Sequence, residues 1–155
     1  LEKAIQVALA EDSKVVFERF VQGQEVECAV IGNQVCVSTR PGEILASEAF
    51  YTYEDKYVLG TSRTVIPAHL SEEVLDRVKA QAEKAYRALG CEGLARVDFF
   101  VENGDTILLN EINTLPGFTS ISMYPKLMED AGKPIDQLLD ELIGLALERA
   151  GVRHG

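Results

Sequence analysis

Apolar residues recur at helical spacing over residues 1 to about 10, where Leu1, Ala4, Ile5, Ala8 and Leu9 share a face, and the polar run Glu11-Asp12-Ser13 ends the pattern. The period then shortens. Val15 to Val21 and Glu25 to Ile31 predict strands on either side of Gly23, and Gly32-Asn33 is a tight-turn signal leading into Val35-Cys36-Val37, so a small antiparallel meander is expected. Residues 47 to 64 hold no sustained apolar period; polar residues dominate around Tyr51, Tyr53 and Tyr57, which predicts a long functional loop. Ser71 is a good N-cap with Glu72 and Glu73 behind it. Val74, Leu75, Val78, Ala82, Ala85 and Leu89 then form one apolar stripe until Gly90 stops the helix. Such a helix covers a sheet, and Leu94 to Val101 and Thr106 to Asn113 supply its strands. A shorter helix is expected from Ser122 to Ala131. A longer one runs from Pro134, taken as its first residue, to about Ala150, with Gly151 after its last.

The two strands are joined by Glu102-Asn103-Gly104-Asp105, and Asn-Gly is the strongest short hairpin signal. With Asn103 and Gly104 as the two turn residues, Glu102 faces Asp105, Arg96 faces Glu111 and Asp98 faces Leu109. Strand side chains alternate, so one face would gather Arg96, Asp98, Phe100, Ile107, Glu111 and Asn113. Asp98 and Glu111 would be diagonal neighbours about 7–8 Å apart, able to reach one cation. The other face, Ala95, Val97, Phe99 and Val101 with Leu108 and Ile112, suits a helix, although Asn110 falls there without a reason. Two carboxylates and an amide suit Mg²⁺ or Mn²⁺, whereas zinc would want His or Cys. The alternative is a solvated strand face with a surface Arg-Glu pair. The following segment, Thr114 to Tyr124, passes through Pro116 and Gly117 into a helix start and can offer N–H groups and hydroxyls to an anion.

Composition narrows the possibilities. The 155 residues suit one ordinary domain, and no stretch approaches the roughly 18 apolar residues of a membrane span. A net charge of −10 without basic runs argues against nucleic acid as a partner. Cys28, Cys36 and Cys91 form no C-x-x-C and no zinc set with His69 or His154, so they are expected to be core thiols in a reducing cytosol. The chain opens inside a helix without Met, which suggests a piece of something longer.

Arg96-Val-Asp98-Phe-Phe, followed by Asn110-Glu111-Ile-Asn113-Thr-Leu-Pro-Gly117-Phe-Thr-Ser-Ile-Ser122-Met-Tyr-Pro-Lys, resembles the C-terminal part of the D-alanine–D-alanine ligases of the ATP-grasp superfamily. Upstream, Glu18-Arg-Phe-Val21 resembles the family's adenine hinge, Gly23-x-Glu25 its ribose-binding acid, and Phe50 to Tyr57 its omega loop. The resemblance implies an α+β ATP-grasp fold, mainly antiparallel sheet flanked by helices. Residues 1–24 would end the central subdomain, and 25–155 would form the C-terminal one, with the omega loop at about 47–64. It implies ATP and two Mg²⁺ or Mn²⁺ ions on Asp98, Glu111 and Asn113. The nucleotide would be bound by Glu18, Phe20, Val21, Glu25, Lys56 and Asn110. Arg96 and the Gly117 N–H would stabilise an oxyanion, Ser122 would bind the carboxylate of the second D-alanine, and Tyr57 would join them from the loop.

The implied reaction joins two D-alanines through an acyl phosphate, for peptidoglycan synthesis in the bacterial cytoplasm, with the full-length enzyme a homodimer. The Glu54-Asp-Lys56-Tyr57 loop and the Ser122-Met123 pair resemble ligases specific for D-alanine, whereas enzymes using D-lactate differ in the loop and often carry Arg after the serine. Because the family's N-terminal domain and the lysines of its early central domain have no counterpart here, little or no turnover by the chain alone is expected. The competing readings are another ATP-grasp carboxylate–amine ligase, of D-Ala–D-Lac or D-Ala–D-Ser type, and a non-catalytic acidic domain that binds cations structurally.

Overall fold

The computed structural model describes residues 1–45 and 63–151. Helix α1 (Glu2–Glu11) opens the chain, and none of its residues is buried. The expected strand at Val15–Val21 does not form: residues 12–23 contain no helix and no strand. A strand exists only by pairing, and among the described residues both edges of the strand that follows are taken by others. Val16, Phe17 and Phe20 are accordingly exposed. Arg19 ties this segment to β5 through a bidentate pair with Glu102 at 3.1 and 3.2 Å.

The long strand β1 (Gln24–Gly32) is the centre of the sheet. On one side it pairs antiparallel with β2 (Cys36–Ser38) and then with β3 (Gly42–Leu45), to which β4 (Arg63–Val65) adds an outer strand. On the other side it pairs along its whole length with β5 (Gly93–Glu102), which pairs in turn with β6 (Thr106–Asn113). Strands β3 and β4 were not anticipated, because three or four residues are too few to display a period. The loop expected at 47–64 lies outside the described residues up to position 62, and its last two positions belong to β4.

Alternation divides β1 between two cores. Val26, Cys28 and Val30, with Ala95, Val97, Phe99 and Val101 of β5, pack against α2 (Glu72–Ala88), whose buried stripe is Val74, Leu75, Val78, Ala82 and Tyr86. The anticipated cap is present, with Ser71 Oγ accepting from the Val74 N–H. Cys28 and Cys36 are buried and Cys91 half-buried, all as free thiols. On the opposite face Ala29 and Ile31 pack against α3 (Met123–Asp130) and Leu138 of α4 (Ile135–Arg149). Pro134 is the cap before α4 rather than its first turn, since its ψ of 161° is extended while its φ of −64° suits either role. No helix among the described residues is long and apolar enough to cross a membrane.

Two buried tyrosine hydroxyls join helix to sheet. Tyr86 donates to the Gly32 carbonyl at 2.7 Å and Tyr124 to the Val30 carbonyl at 3.1 Å. Burial pushes both phenols well above their ordinary pKa, so they serve as donors. Tyr86→Phe keeps the ring and strands a buried carbonyl, which should cost about 1–3 kcal/mol. Urea unfolding of the two proteins measures it.

Candidate active site

The hairpin that sequence reasoning singled out forms with a different register. Glu102 pairs with Thr106 rather than facing Asp105, so the loop has three residues, and both Asn103 (φ 54°) and Gly104 (φ 79°) are left-handed. Further along, a bulge separates the pair Phe99–Leu109 from the pair Asp98–Glu111. The extra residue is Asn110, which explains its unaccounted place on the expected apolar face: a bulged residue opposes no partner, and Asn110 is exposed. The longer loop moves Ile107 onto the core face opposite Val101, and Leu108 opposite Phe100, reversing the expected sides of these two. The bulge then restores Glu111 and Asn113 to the face of Asp98 and Arg96.

Asp98 and Glu111 are consequently direct cross-strand partners, and Arg96 lies opposite Asn113. This tightens the expected diagonal pair into neighbours whose Cβ atoms are typically about 5 Å apart. In the next strand Glu27 lies opposite Asp98, so three acids form a row across β1, β5 and β6. Helices α3 and α4 cover the Ala29 and Ile31 end of this face and leave the acidic end uncovered by their core. Glu27 and Asp98 are 2% and 3% exposed, whereas Glu111 at the edge is exposed.

Arg96 does not pair with Glu111. Its Nε and Nη2 donate to the two oxygens of Asp98 at 2.8 Å each, and Nε lies 3.1 Å from Glu27 Oε2. Burial alone would lower the guanidinium pKa; the hydrogen bonds to Asp98, and the charges of Glu27, Asp98 and Glu111, more than offset it and hold the group above its ordinary value. Arg96 is therefore a fixed positive charge. Glu27 was missed in the sequence. The signal was available in Glu25-Val26-Glu27-Cys28, whose alternation puts two acids on one face of the central strand.

Beyond β6 the chain turns at once, with Asn113 Oδ1 accepting from the Leu115 N–H at 3.1 Å. Ser122 is the N-cap position of α3, yet its side chain does not cap the helix. Its Oγ instead accepts from the Thr119 N–H at 3.1 Å and lies 2.8 Å from Thr119 Oγ1. Gly117 sits so close that a Cβ there would come within 2.8 Å of Ser122 Oγ, so a larger residue would have to displace the serine hydroxyl. The same loop borders a cavity lined by Phe118, Thr119, Ser120, Lys126, Glu129 and Ile135.

Of the other expected site residues, Glu25 is half-buried on β1 and shares the face of Glu27; Val21 is half-buried, and Glu18 and Phe20 are exposed. Lys56 and Tyr57 lie outside the described residues. Among the described residues no group of three His, Cys, Asp or Glu side chains is arranged to hold a metal ion. Two carboxylates and an amide nevertheless fit Mg²⁺ or Mn²⁺, since these ions keep waters and take substrate phosphates as remaining ligands instead of requiring an all-protein cage.

Residues 1–144 match the family model described as the D-ala D-ala ligase C-terminus, and the chain belongs to that family. It is 51% identical over 150 residues to the D-alanine–D-alanine ligase of Solibacter usitatus, covering 96% of this chain and 46% of that protein. Among solved structures it resembles the D-alanine–D-alanine ligase from Coxiella burnetii, with a TM-score of 0.82 and 40% identity over 96% of this chain and 38% of that one. The VanG D-Ala:D-Ser ligase from Enterococcus faecalis is similar too, with a TM-score of 0.80 and 42% identity over 93% of this chain and 42% of that one. The chain thus spans less than half the length of these relatives. Their ATP-grasp architecture agrees with the antiparallel sheet and flanking helices seen here.

The two acids of the hairpin should differ in their structural importance. Asp98→Asn removes a carboxylate from a buried guanidinium and should destabilise by about 3 kcal/mol. Glu111→Gln, at an exposed edge, should stay within about 0.5 kcal/mol. Thermal unfolding of the two variants separates them.

Proposed function

We propose that this chain forms the C-terminal wall of the active site of an ATP-dependent D-alanine–D-alanine ligase. Residues 1–24 then close the preceding central subdomain, and residues 25–155 are the C-terminal subdomain. The reading is carried by Asp98 and Glu111 standing opposite one another beside Arg96, on a sheet face that belongs to this family's fold.

Catalysis in this reading is mostly placement and charge. A carboxylate oxygen of the first D-alanine attacks the γ-phosphorus of ATP, and the bond to the β–γ bridging oxygen breaks, so that ADP leaves with that electron pair. The amine of the second D-alanine attacks the acyl carbon; its proton is lost, the carbon–oxygen bond to phosphate breaks, and phosphate departs. Two Mg²⁺ or Mn²⁺ ions held by Asp98, Glu111 and Asn113 would neutralise phosphate oxygens. Arg96, pinned between Glu27 and Asp98, supplies permanent positive charge to the tetrahedral oxyanion, and the Gly117 N–H is a second donor. Ser122, at the start of α3 where first-turn N–H groups lack helical partners, suits the carboxylate of the second D-alanine. Glu18, Phe20, Val21, Glu25 and Asn110 serve the nucleotide, joined from the loop by Lys56 and Tyr57. The full-length enzyme in this reading is a cytoplasmic homodimer that supplies peptidoglycan synthesis.

Phosphate release by the full-length protein with ATP and D-alanine, D-serine or D-lactate tests the reading. D-alanine alone should sustain turnover; response only when D-serine is added would reassign the second substrate, and no response to D-alanine would overturn the proposal. Asp98→Asn and Glu111→Gln should each lower kcat on the order of 100-fold.

A further inference from the structure

Glu27 is the acid of this row that holds neither metal nor nucleotide in the assignments above. It sits in the middle strand of the sheet, between Gly42 of β3 and Asp98 of β5, and is 2% exposed. A charge buried that deeply is tolerated only in an ion pair. Among the described residues its ion-pair partner is Arg96 at 3.1 Å, and Arg96 simultaneously engages both oxygens of Asp98. One guanidinium is therefore gripped by two carboxylates from two strands.

That grip conflicts with metal binding, because a cation on Asp98 competes with donors already occupying both its oxygens. We propose that Glu27 is a positioning residue, the second anchor that keeps Arg96 on the sheet face when Asp98 turns to a divalent cation. This rests on the reading of Asp98 as a metal ligand. Charge supports it. Glu27 and Arg96 cancel, leaving Asp98 and Glu111 to match a divalent ion between them. Without Glu27, the sole compensation for Arg96 among these acids would come from the carboxylates the metal needs, and every cation bound would have to displace it. Geometry supports it as well, since Glu27 reaches Arg96 from the β1 side of Asp98, whereas Glu111 stands on the β6 side. Moving toward Glu27 therefore takes the guanidinium away from the space between Asp98 and Glu111.

The test is direct Mn²⁺ titration of the full-length protein with a non-hydrolysable ATP analogue, followed by electron paramagnetic resonance, alongside kinetics. Glu27→Gln should raise the Mn²⁺ dissociation constant and lower kcat, each about tenfold, with the KM for ATP unchanged. In an Arg96→Gln background the same substitution should alter Mn²⁺ affinity by less than about twofold, the usual scatter of additivity. Equal shifts in both backgrounds would show that Glu27 acts by its charge alone, and no shift in either would show that Arg96 needs no second anchor; each overturns the proposal. Asp98→Asn that leaves Mn²⁺ binding intact would instead overturn the metal reading beneath it. Should Glu27→Gln fold poorly, the Arg96 Nε–H resonance of the wild-type protein decides. It should stay protected from solvent exchange when Mg²⁺ and analogue are added, and its loss would overturn the proposal.

Discussion

Strand β1 has neighbours on both edges and packing on both faces, so every one of its side chains must be accommodated by something specific. Its alternation resolves this by giving Val26, Cys28 and Val30 to the α2 core, and by dividing the other face along its length. Ala29 and Ile31 go under α3 and α4, and Glu25 and Glu27 lie beyond that core. The boundary between core and candidate site is therefore one step of two residues along one strand, from Ala29 to Glu27. The site inherits the rigidity of the sheet because its acids are ladder positions of three adjacent strands. That is how a constellation can be held closely without a loop to carry it.

The same boundary ties α3 to the chemistry. Helix α3 is anchored by Tyr124, whose hydroxyl reaches the Val30 carbonyl, and by Leu127 and Met128 in the core. Met123 lies close to Gly42, the residue opposite Glu27, since a Cβ on Gly42 would come within 3.0 Å of its sulfur. Ser122 immediately precedes it. Core packing of one short helix thus sets where the serine and the Gly117 loop stand relative to the acid row.

What could be read from the sequence followed signal length. Helix α2 showed its cap, its stripe and its stop, and formed within a residue or two of the expected bounds. The shared face was legible too, because Asp98, Glu111 and Asn113 do lie on one side of the hairpin. Their register was not legible: a three-residue loop and a bulge at Asn110 each shift the count by one in the same direction, so beyond the bulge the pairing is displaced by two residues. A displacement of two keeps the face, which is why the acids landed on the expected side while Ile107 and Leu108 changed places. Val15–Val21 misled for another reason, since strand propensity expresses itself only where a partner strand exists. Glu27 was overlooked because pattern reading expects apolar residues at a central strand, and its burial depends on Arg96, a contact 69 positions distant that no local pattern shows.

The electrostatics of the acid row make the arrangement purposeful in physical terms. Two carboxylates about 5 Å apart repel by about 3 kcal/mol at an effective dielectric constant of 20, and the row holds two such adjacent pairs. Arg96 offsets much of this, but its hydrogen bonds go to Asp98 and its ion pair to Glu27, both on the inner side, while Glu111 receives only its longer-range field. The acid of the row that Arg96 touches least is therefore Glu111, at the exposed edge. In the reading proposed above, a divalent cation carrying phosphate would meet Glu111 at the exposed edge and reach Asp98 by drawing its oxygens from Arg96. In the reading proposed above, the net charge of −10 does not oppose phosphate binding, because divalent cations on these acids would offset the local negative charge.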